Sequence, residues 1–228
     1  MIIRVSNFEN DIIISDEYVR VLEIEDKALF ANMVQSMNSL CCNQESKEYM
    51  VLLDEEKELD FAKNVYFIFD ILNIDFNDRK ILNKLYSKIK TSLDSDTEVR
   101  NELEIYYRDV FNLLDSVLLE FPFEFTYKTE LEVEELFKLY GIRLYNEEQS
   151  FMEKILYLID LISLLDLCKV LIFCNMKSFF TDIQIEEIYK HIIHNKLNVL
   201  LVEGPITEKP LQYEKKMRID LDFDDYEV

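Results

Sequence analysis

Glycine and proline are nearly absent from this 228-residue chain, which has two Gly, three Pro, no Trp and two His. So few turn formers argue against a turn-rich all-β fold and against flexible linkers. Gly141 and Gly204 stand far apart, so neither G-x-G-x-x-G nor a phosphate loop of the G-x-x-x-x-G-K type can be written on the sequence. Without such a loop, a nucleotide hydrolase lacks the backbone cradle that grips phosphate. No long apolar run is present either. The most apolar window, Ile155 to Cys174, is interrupted by Asp160, Asp166 and Lys169, which fits a buried helix running into a strand better than a membrane span. The start, MIIRVSNFEN, carries no long apolar run and no small-residue cleavage site, so no signal peptide is expected. Cys41, Cys42, Cys168 and Cys174 lack zinc spacing and are expected as reduced core residues of a cytosolic protein.

Positive charge is scarce as well. Against 46 Asp and Glu the chain has 25 Lys and Arg, a formal net charge of −21. Yet Arg79 to Lys90 (RKILNKLYSKIK) holds five positive charges and no acid, so the remainder carries −26. On a helix, Lys80, Lys84 and Lys88 share one stripe, and Ile81, Leu85 and Ile89 form the neighbouring one. The pattern reads either as a solvated helix face or as a site for a polyanion, walled off by acid elsewhere.

Apolar residues make up 49% of the chain, with 16 Phe and 13 Tyr, so a substantial core is available. β-like runs occur at 1–5, 11–14, 18–24, 49–53 and 65–71, and two continuous aliphatic ones at 169–175 and 198–204. The last two match central strands covered on both faces. Between them Thr181 and Gln184 form a capping-box pair ahead of Ile185, Ile188 and Ile192, which makes a strand–helix–strand unit and hence an α/β head. The middle is helical. Asn77 or Asp78 can cap the basic helix, and Ser95 with Glu98 a long second one. In that second helix Val99, Leu103, Tyr106, Val110, Leu113 and Val117 alternate four and three apart, with Tyr107, Phe111, Leu114 and Leu118 beside them. This face is too broad for a two-stranded coiled coil and suits packing against several helices. Thr129 and Glu132 start a shorter helix that ends at Tyr140, with Gly141 at its C-cap. Phe151 to Leu165 marks another.

Four constellations are candidates for chemistry. His191 and His194, three apart, have no third ligand spaced with them and read as surface or interface histidines. Asp220, Asp222, Asp224 and Asp225 lack the Gly and closing Glu of a calcium loop and read as a disordered acidic tail. Glu120, Glu124 and Glu130 bracket the turn FPFEFTYKT between two helices; they are either hard oxygen ligands for Ca²⁺ or ordinary surface acids. No Ser–His or Cys–His nucleophile pair has motif support.

The order of these pieces resembles the accessory spacer-acquisition protein family of type II-A CRISPR systems. The segments that carry the resemblance are VLEIEDKALFANMVQSM (21–37), FIFDILNIDFNDRKILNKLY (67–86), EELFKLYGIRLY (134–145) and KVLIFCNMKSFFTDIQIEEIYKHI followed by LNVLLVEG. The resemblance implies a P-loop-ATPase-like head without a functional phosphate loop, and an inserted helical leg. With the helical middle read as an insertion, the first part of the head spans 1–76, the leg 77–150 and the second part of the head 151–213, and an acidic tail that the resemblance does not cover follows at 214–228.

The resemblance further implies a non-enzymatic, cytoplasmic homotetrameric ring that binds calcium and holds double-stranded DNA ends. Such a ring acts in spacer acquisition beside the integrase proteins and the RNA-guided effector nuclease. Carried over by position, Arg79, Lys80, Lys84, Lys88 and Lys90 are candidate phosphate contacts, sequence-independent in kind. Glu120 and Glu124 fall on acidic positions of the leg turn, with Glu130 nearby, as candidate calcium ligands. The chain departs from the family pattern at Tyr127 and Lys128, where acids are lost. The competing expectations are a protein-interaction scaffold of the adaptation complex without direct DNA binding, and a degenerate nucleotide hydrolase.

Overall fold

The computed structural model describes residues 1–128, 130, 132–145, 150–204, 206–207 and 209–228. In chain order its elements are β1 (Ile2–Val5), β2 (Ile12–Ile13), β3 (Val19–Ile24), α1 (Lys27–Cys41), β4 (Met50–Asp54), β5 (Lys57–Leu59), α2 (Phe61–Asn64) and β6 (Val65–Ile68). Then come α3 (Arg79–Ser95), α4 (Thr97–Leu118), α5 (Val133–Leu139), α6 (Phe151–Leu165), β7 (Val170–Cys174), α7 (Asp182–His194), β8 (Val199–Glu203), β9 (Glu214–Ile219) and β10 (Asp225–Glu227). Two compact units result: Met1–Phe76 with Asn146–Val228, and Asn77–Tyr145.

In the first unit a six-stranded sheet runs in the order β10-β9-β3-β8-β7-β6. β9, β3, β8, β7 and β6 are parallel neighbours, and β10 closes one edge antiparallel to β9. The aliphatic runs of β7 and β8 are buried at every position, as strands covered on both faces require. One face carries Leu22, Ile24, Ile172, Cys174, Leu200, Val202, Met217 and Ile219. It packs with Leu29, Met33, Val34 and Met37 of α1 and with Ile3, Ile12 and Leu52 from a second, antiparallel sheet ordered β2-β1-β4-β5. Strand alternation puts Val19, Val21, Leu171, Phe173, Val199 and Leu201 on the other face. There α6 and α7 pack on each other and α7 meets β3. Helix α7 starts at the capping box spaced for it, Thr181 with Gln184, and buries Ile185, Ile188, Tyr189 and Ile192. Each such burial stabilises the unit by roughly 1.5–3 kcal/mol.

The expected acidic tail is instead part of the sheet. Residues 214–219 (EKKMRI) pair in parallel with β3 over six positions, from Val19↔Glu214 to Ile24↔Ile219. They form no apolar run because, beside Met217 and Ile219, the buried Glu214 and Lys216 are charged and matched by groups elsewhere. Lys216 Nζ lies 3.0 Å from Glu23 Oε1 and 3.5 Å from Glu214 Oε1, and Arg218 Nη2 lies 3.0 Å from Glu23 Oε2. Glu214 also takes Lys177 Nζ at 2.9 Å and the Tyr189 hydroxyl at 2.9 Å. Burial raises the Glu23 pKa, but hydrogen bonds from Thr207, Lys216 and Arg218 outweigh it and leave the carboxyl below its usual range. The acids beyond β9 are organised too. The buried Asp225 carboxylate accepts from Glu9 N (2.7 Å) and Asn10 N (2.8 Å), while Asp220 Oδ1 accepts from the backbone of Asp222 and Asp224. At the C-terminal end of β8, Glu203 is 1% exposed, accepts from Lys177 N at 3.1 Å, and leaves Oε2 without a partner among the described residues. Burial pushes its pKa up to about 7.

Other expectations shift in detail. α1, α2 and β5 were not read from sequence, and the run at 65–71 is a strand only to Ile68. None of the four cysteines is in a disulfide, and only Cys174 is buried, with Cys41 partly buried against the core, so the expectation of four core cysteines holds fully for one; burial first, and then Glu203, push the Cys174 thiol up to about 12. His191 Nε2 pairs with Asp160 Oδ1 at 2.6 Å on the surface of the α6–α7 pair. Among the described residues no helix is long and apolar enough to cross a membrane.

Candidate nucleic-acid interface

The second unit is α3, α4 and α5 with their connections. Asp78 caps α3, its carboxylate accepting from Ile81 N at 2.9 Å, which settles the choice between Asn77 and Asp78. Ile81 and Tyr86 are the buried residues of α3. Tyr86, Val133 and Phe137 form a small core with Leu82, Leu85, Ile89 and Leu93 of α3 and Leu103 of α4, and the Tyr86 and Phe137 rings lie 5.5 Å apart. With its apolar face turned to α4 and α5, α3 turns its basic side outward. Lys84 and Lys88 are exposed, and Lys80, one turn before, is half-buried. Lys84 makes no hydrogen bond or ion pair among the described residues, whereas Lys80 and Lys88 each take part in a further interaction within the protein.

The five candidate charges do not form one patch. At about 100° per residue, Arg79 and Lys90 emerge roughly a quarter to half a turn round the helix from the Lys80–Lys84–Lys88 stripe. Arg79 is exposed there, and Lys90 Nζ is directed to Glu134 Oε1 of α5 at 3.8 Å.

Sequence reasoning missed a strap that runs from the end of α5 back along this flank of α3. Gly141 turns the chain at φ 63°, with its N–H on Lys138 O, as expected of the C-cap. The Tyr86 hydroxyl then donates to Ile142 O at 2.8 Å. Asn77 clamps the backbone of Leu144 from both sides, Oδ1 accepting from its N–H at 2.8 Å and Nδ2 donating to its carbonyl at 3.0 Å. Arg143 and Tyr145 stay exposed on either side of the half-buried Leu144. The sequence signal was no more than an Asn directly before the helix cap.

α4 differs from the expected pattern. Its N-cap is Asp96, which accepts from Val99 N, while the Ser95 hydroxyl turns back to Ser92 O. None of its 22 residues is buried. Tyr107, Phe111 and Leu118 are half-buried, and Val99, Tyr106, Val110, Leu113 and Val117 stand in solvent at 43–69% exposure. Thr129 lies outside the described residues, and α5 has Glu132 as N-cap without a side-chain hydrogen bond.

Calcium, which the resemblance implies, does not fit the leg turn. Glu120, Glu124 and Glu130 are exposed, and among the described residues no three His, Cys, Asp or Glu side chains gather as a metal would need. The carboxylates that do converge there already hold a cation: Lys128 Nζ donates to Glu135 Oε1 at 2.9 Å and to Glu132 Oε1 at 3.1 Å. Next to it the Tyr127 hydroxyl bonds Asp115 at 3.0 Å and its ring meets Phe111 edge-on at 4.8 Å. Tyr127 and Lys128 thus organise the turn.

In the first unit the connection from β3 to α1 is only Glu25 and Asp26. Asp26 caps α1, its carboxylate on Leu29 N at 2.7 Å, so an acid sits where a phosphate would need those amides.

Comparison with known proteins places this architecture. The family profile described as CRISPR-associated protein (Cas_Csn2) matches residues 43–223. The chain belongs to the Csn2 family of CRISPR-associated proteins. It is similar to the CRISPR-associated protein Csn2 of Enterococcus faecalis, 25% identical over 197 residues, 86% of this chain and 88% of that one. A Csn2 of Streptococcus agalactiae is 22% identical over 183 residues, 80% of each chain. Among solved structures, Stu0660 of Streptococcus thermophilus superposes with a TM-score of 0.59 at 12% identity, covering 96% of this chain and 75% of that one, which shows a shared fold.

Proposed function

We propose that this Csn2 family member is a non-enzymatic protein of CRISPR spacer acquisition that binds the ends of double-stranded DNA as a homotetrameric ring. The observation that carries the reading is the lysine stripe of α3, exposed at Lys84 and Lys88 on a chain of net charge −21. Only such a local concentration of positive charge attracts phosphate when the rest of the surface repels it, because screening limits each group's reach to about 8–10 Å. Four copies facing one hole multiply that concentration. Contacts of this kind are made to backbone phosphates and are independent of sequence.

The α/β unit is read as a P-loop-ATPase-type head that has lost its phosphate loop. In support, the first parallel strand, β3, sits inside the sheet between β9 and β8, and the short turn after it is capped by Asp26. The partners proposed are linear duplex DNA, further copies of this chain, the adaptation integrase proteins and the RNA-guided effector nuclease.

A second reading, an interaction scaffold of the adaptation complex, is favoured by the unburied apolar face of α4. Gel-shift binding to linear and covalently closed duplexes of equal length separates the two, with and without a chelator. Binding to linear DNA alone, unaffected by the chelator, is the expected result. Equal binding to both forms contradicts threading through a ring, and absence of binding to either leaves the scaffold.

A further inference from the structure

We propose that the strap 141–145 reads the DNA end itself, with Arg143 on a terminal phosphate and Tyr145 stacked on an unpaired terminal base. This rests on the DNA-binding reading of α3 and adds to it a preference for single-stranded overhangs.

The strap is not a loose loop. It is tied at three backbone positions, Gly141 to Lys138, Ile142 to Tyr86 and Leu144 to Asn77, all within one compact unit. Tyr86 is buried at 6% exposure, so it is a fixed anchor, and Asn77 immediately precedes the Asp78 cap of α3. The outcome is a cation and a large aromatic ring, two residues apart and held in solvent, with Tyr145 at 71% exposure. Tyr145 directly follows the clamped Leu144, so its backbone is more confined than that of a free loop and ordering it on a ligand costs less. Aromatic rings of this kind bind bases face to face regardless of sequence, and a guanidinium forks onto phosphate oxygens.

The location decides which base is available. Within a B-form duplex every base is covered above and below by its neighbours, so a protein ring finds an open face only at a terminus or along an overhang. The strap flanks the side of α3 on which Arg79 emerges, and the Lys80–Lys84–Lys88 stripe is left for the duplex backbone. Phosphate contacts thus position the helix, and the strap tests whether the strand stops.

The test uses the full chain and three duplexes of equal paired length: blunt, with a short 3′ overhang, and with a 5′ overhang. The terminal unpaired nucleotide is 2-aminopurine, whose fluorescence falls on stacking. We expect about tenfold tighter binding to one overhang form than to the blunt form, with quenching of the probe. Tyr145→Ala is expected to remove both preference and quenching while blunt affinity stays unchanged, and Tyr145→Phe to keep them because the ring is kept. Equal wild-type affinity for all three duplexes overturns the proposal, as does a preference that survives in Tyr145→Ala. In either case, blunt-end binding that persists leaves the lysine-stripe reading standing. Failure of the wild type to bind any duplex removes both.

Discussion

In the proposed homotetramer the unburied apolar face of α4 is the seam between copies, so replacing Leu113 and Val117 by aspartate should abolish self-association and leave the protomer folded. These side chains are 69% and 52% exposed in the protomer, so the substitutions remove little packing and should change its unfolding free energy by no more than about 0.5 kcal/mol. In an assembly the same positions carry weight. Val99, Leu103, Tyr106, Val110, Leu113 and Val117 follow a 4-3-4-3-4 spacing along a helix of 22 residues, about 33 Å long. Covering a fully exposed Leu or Val side chain contributes about 1.5–3 kcal/mol, so completing the burial of these half-exposed ones contributes roughly 1 kcal/mol each. Two substitutions on each of two facing helices therefore lose at least about 4 kcal/mol before the cost of desolvating the new carboxylates, a factor near 1,000 in dissociation constant. Sedimentation velocity across a hundredfold range of concentration reads this directly, with circular dichroism as the check on folding. Wild-type assembly in the double variant would refute the seam.

Three further outcomes follow from the same geometry. Glu203 is protonated more readily in the folded chain (about 7) than unfolded (4.5), so stability present below pH 4.5 is lost as pH rises towards 7. Glu203→Gln should flatten that part of the pH–stability curve, worth on the order of 3 kcal/mol, in urea titrations at pH 5 and 8; parallel curves for both proteins would contradict it. Lys216→Ala should cost about 1.5–3 kcal/mol because it takes one of two cations from buried Glu23, which keeps Arg218, and one of two from Glu214, which keeps Lys177, and a loss below about 1 kcal/mol would show β9 to be peripheral to the core. Millimolar calcium should leave the thermal midpoint of the wild type unchanged, since Lys128 already occupies Glu132 and Glu135, whereas a rise of several degrees would place a cation in the leg after all.

What the sequence makes legible is what it encodes locally. β7 and β8 are continuous aliphatic runs, α7 opens on Thr181 and Gln184, and the lysines of α3 recur every fourth residue, so each can be read without knowing its neighbours. β9 is illegible for the opposite reason. Lys216 and Arg218 are acceptable in the sheet only because Glu23 lies opposite, almost 200 residues away in sequence. α1 hides its period because Ser36 is among its buried residues, its hydroxyl accepting from Glu48 N. The strap is invisible because Asn77 and Leu144 are 67 residues apart. Wheel geometry also divides the five basic residues of α3 between a stripe and a flank, a distinction lost when they are counted as one charge run.

Salt titration of linear-duplex binding, wild type against Lys84→Glu with Lys88→Glu, tests the central claim most directly. Each lysine that neutralises a phosphate contributes about 0.9 to the slope of log affinity against log salt. The account predicts a steep wild-type slope, and in the folded double variant a slope lower by about 1.8 for each protomer whose stripe contacts the duplex, or binding lost altogether. A variant that binds linear DNA with the wild-type slope and affinity would contradict it.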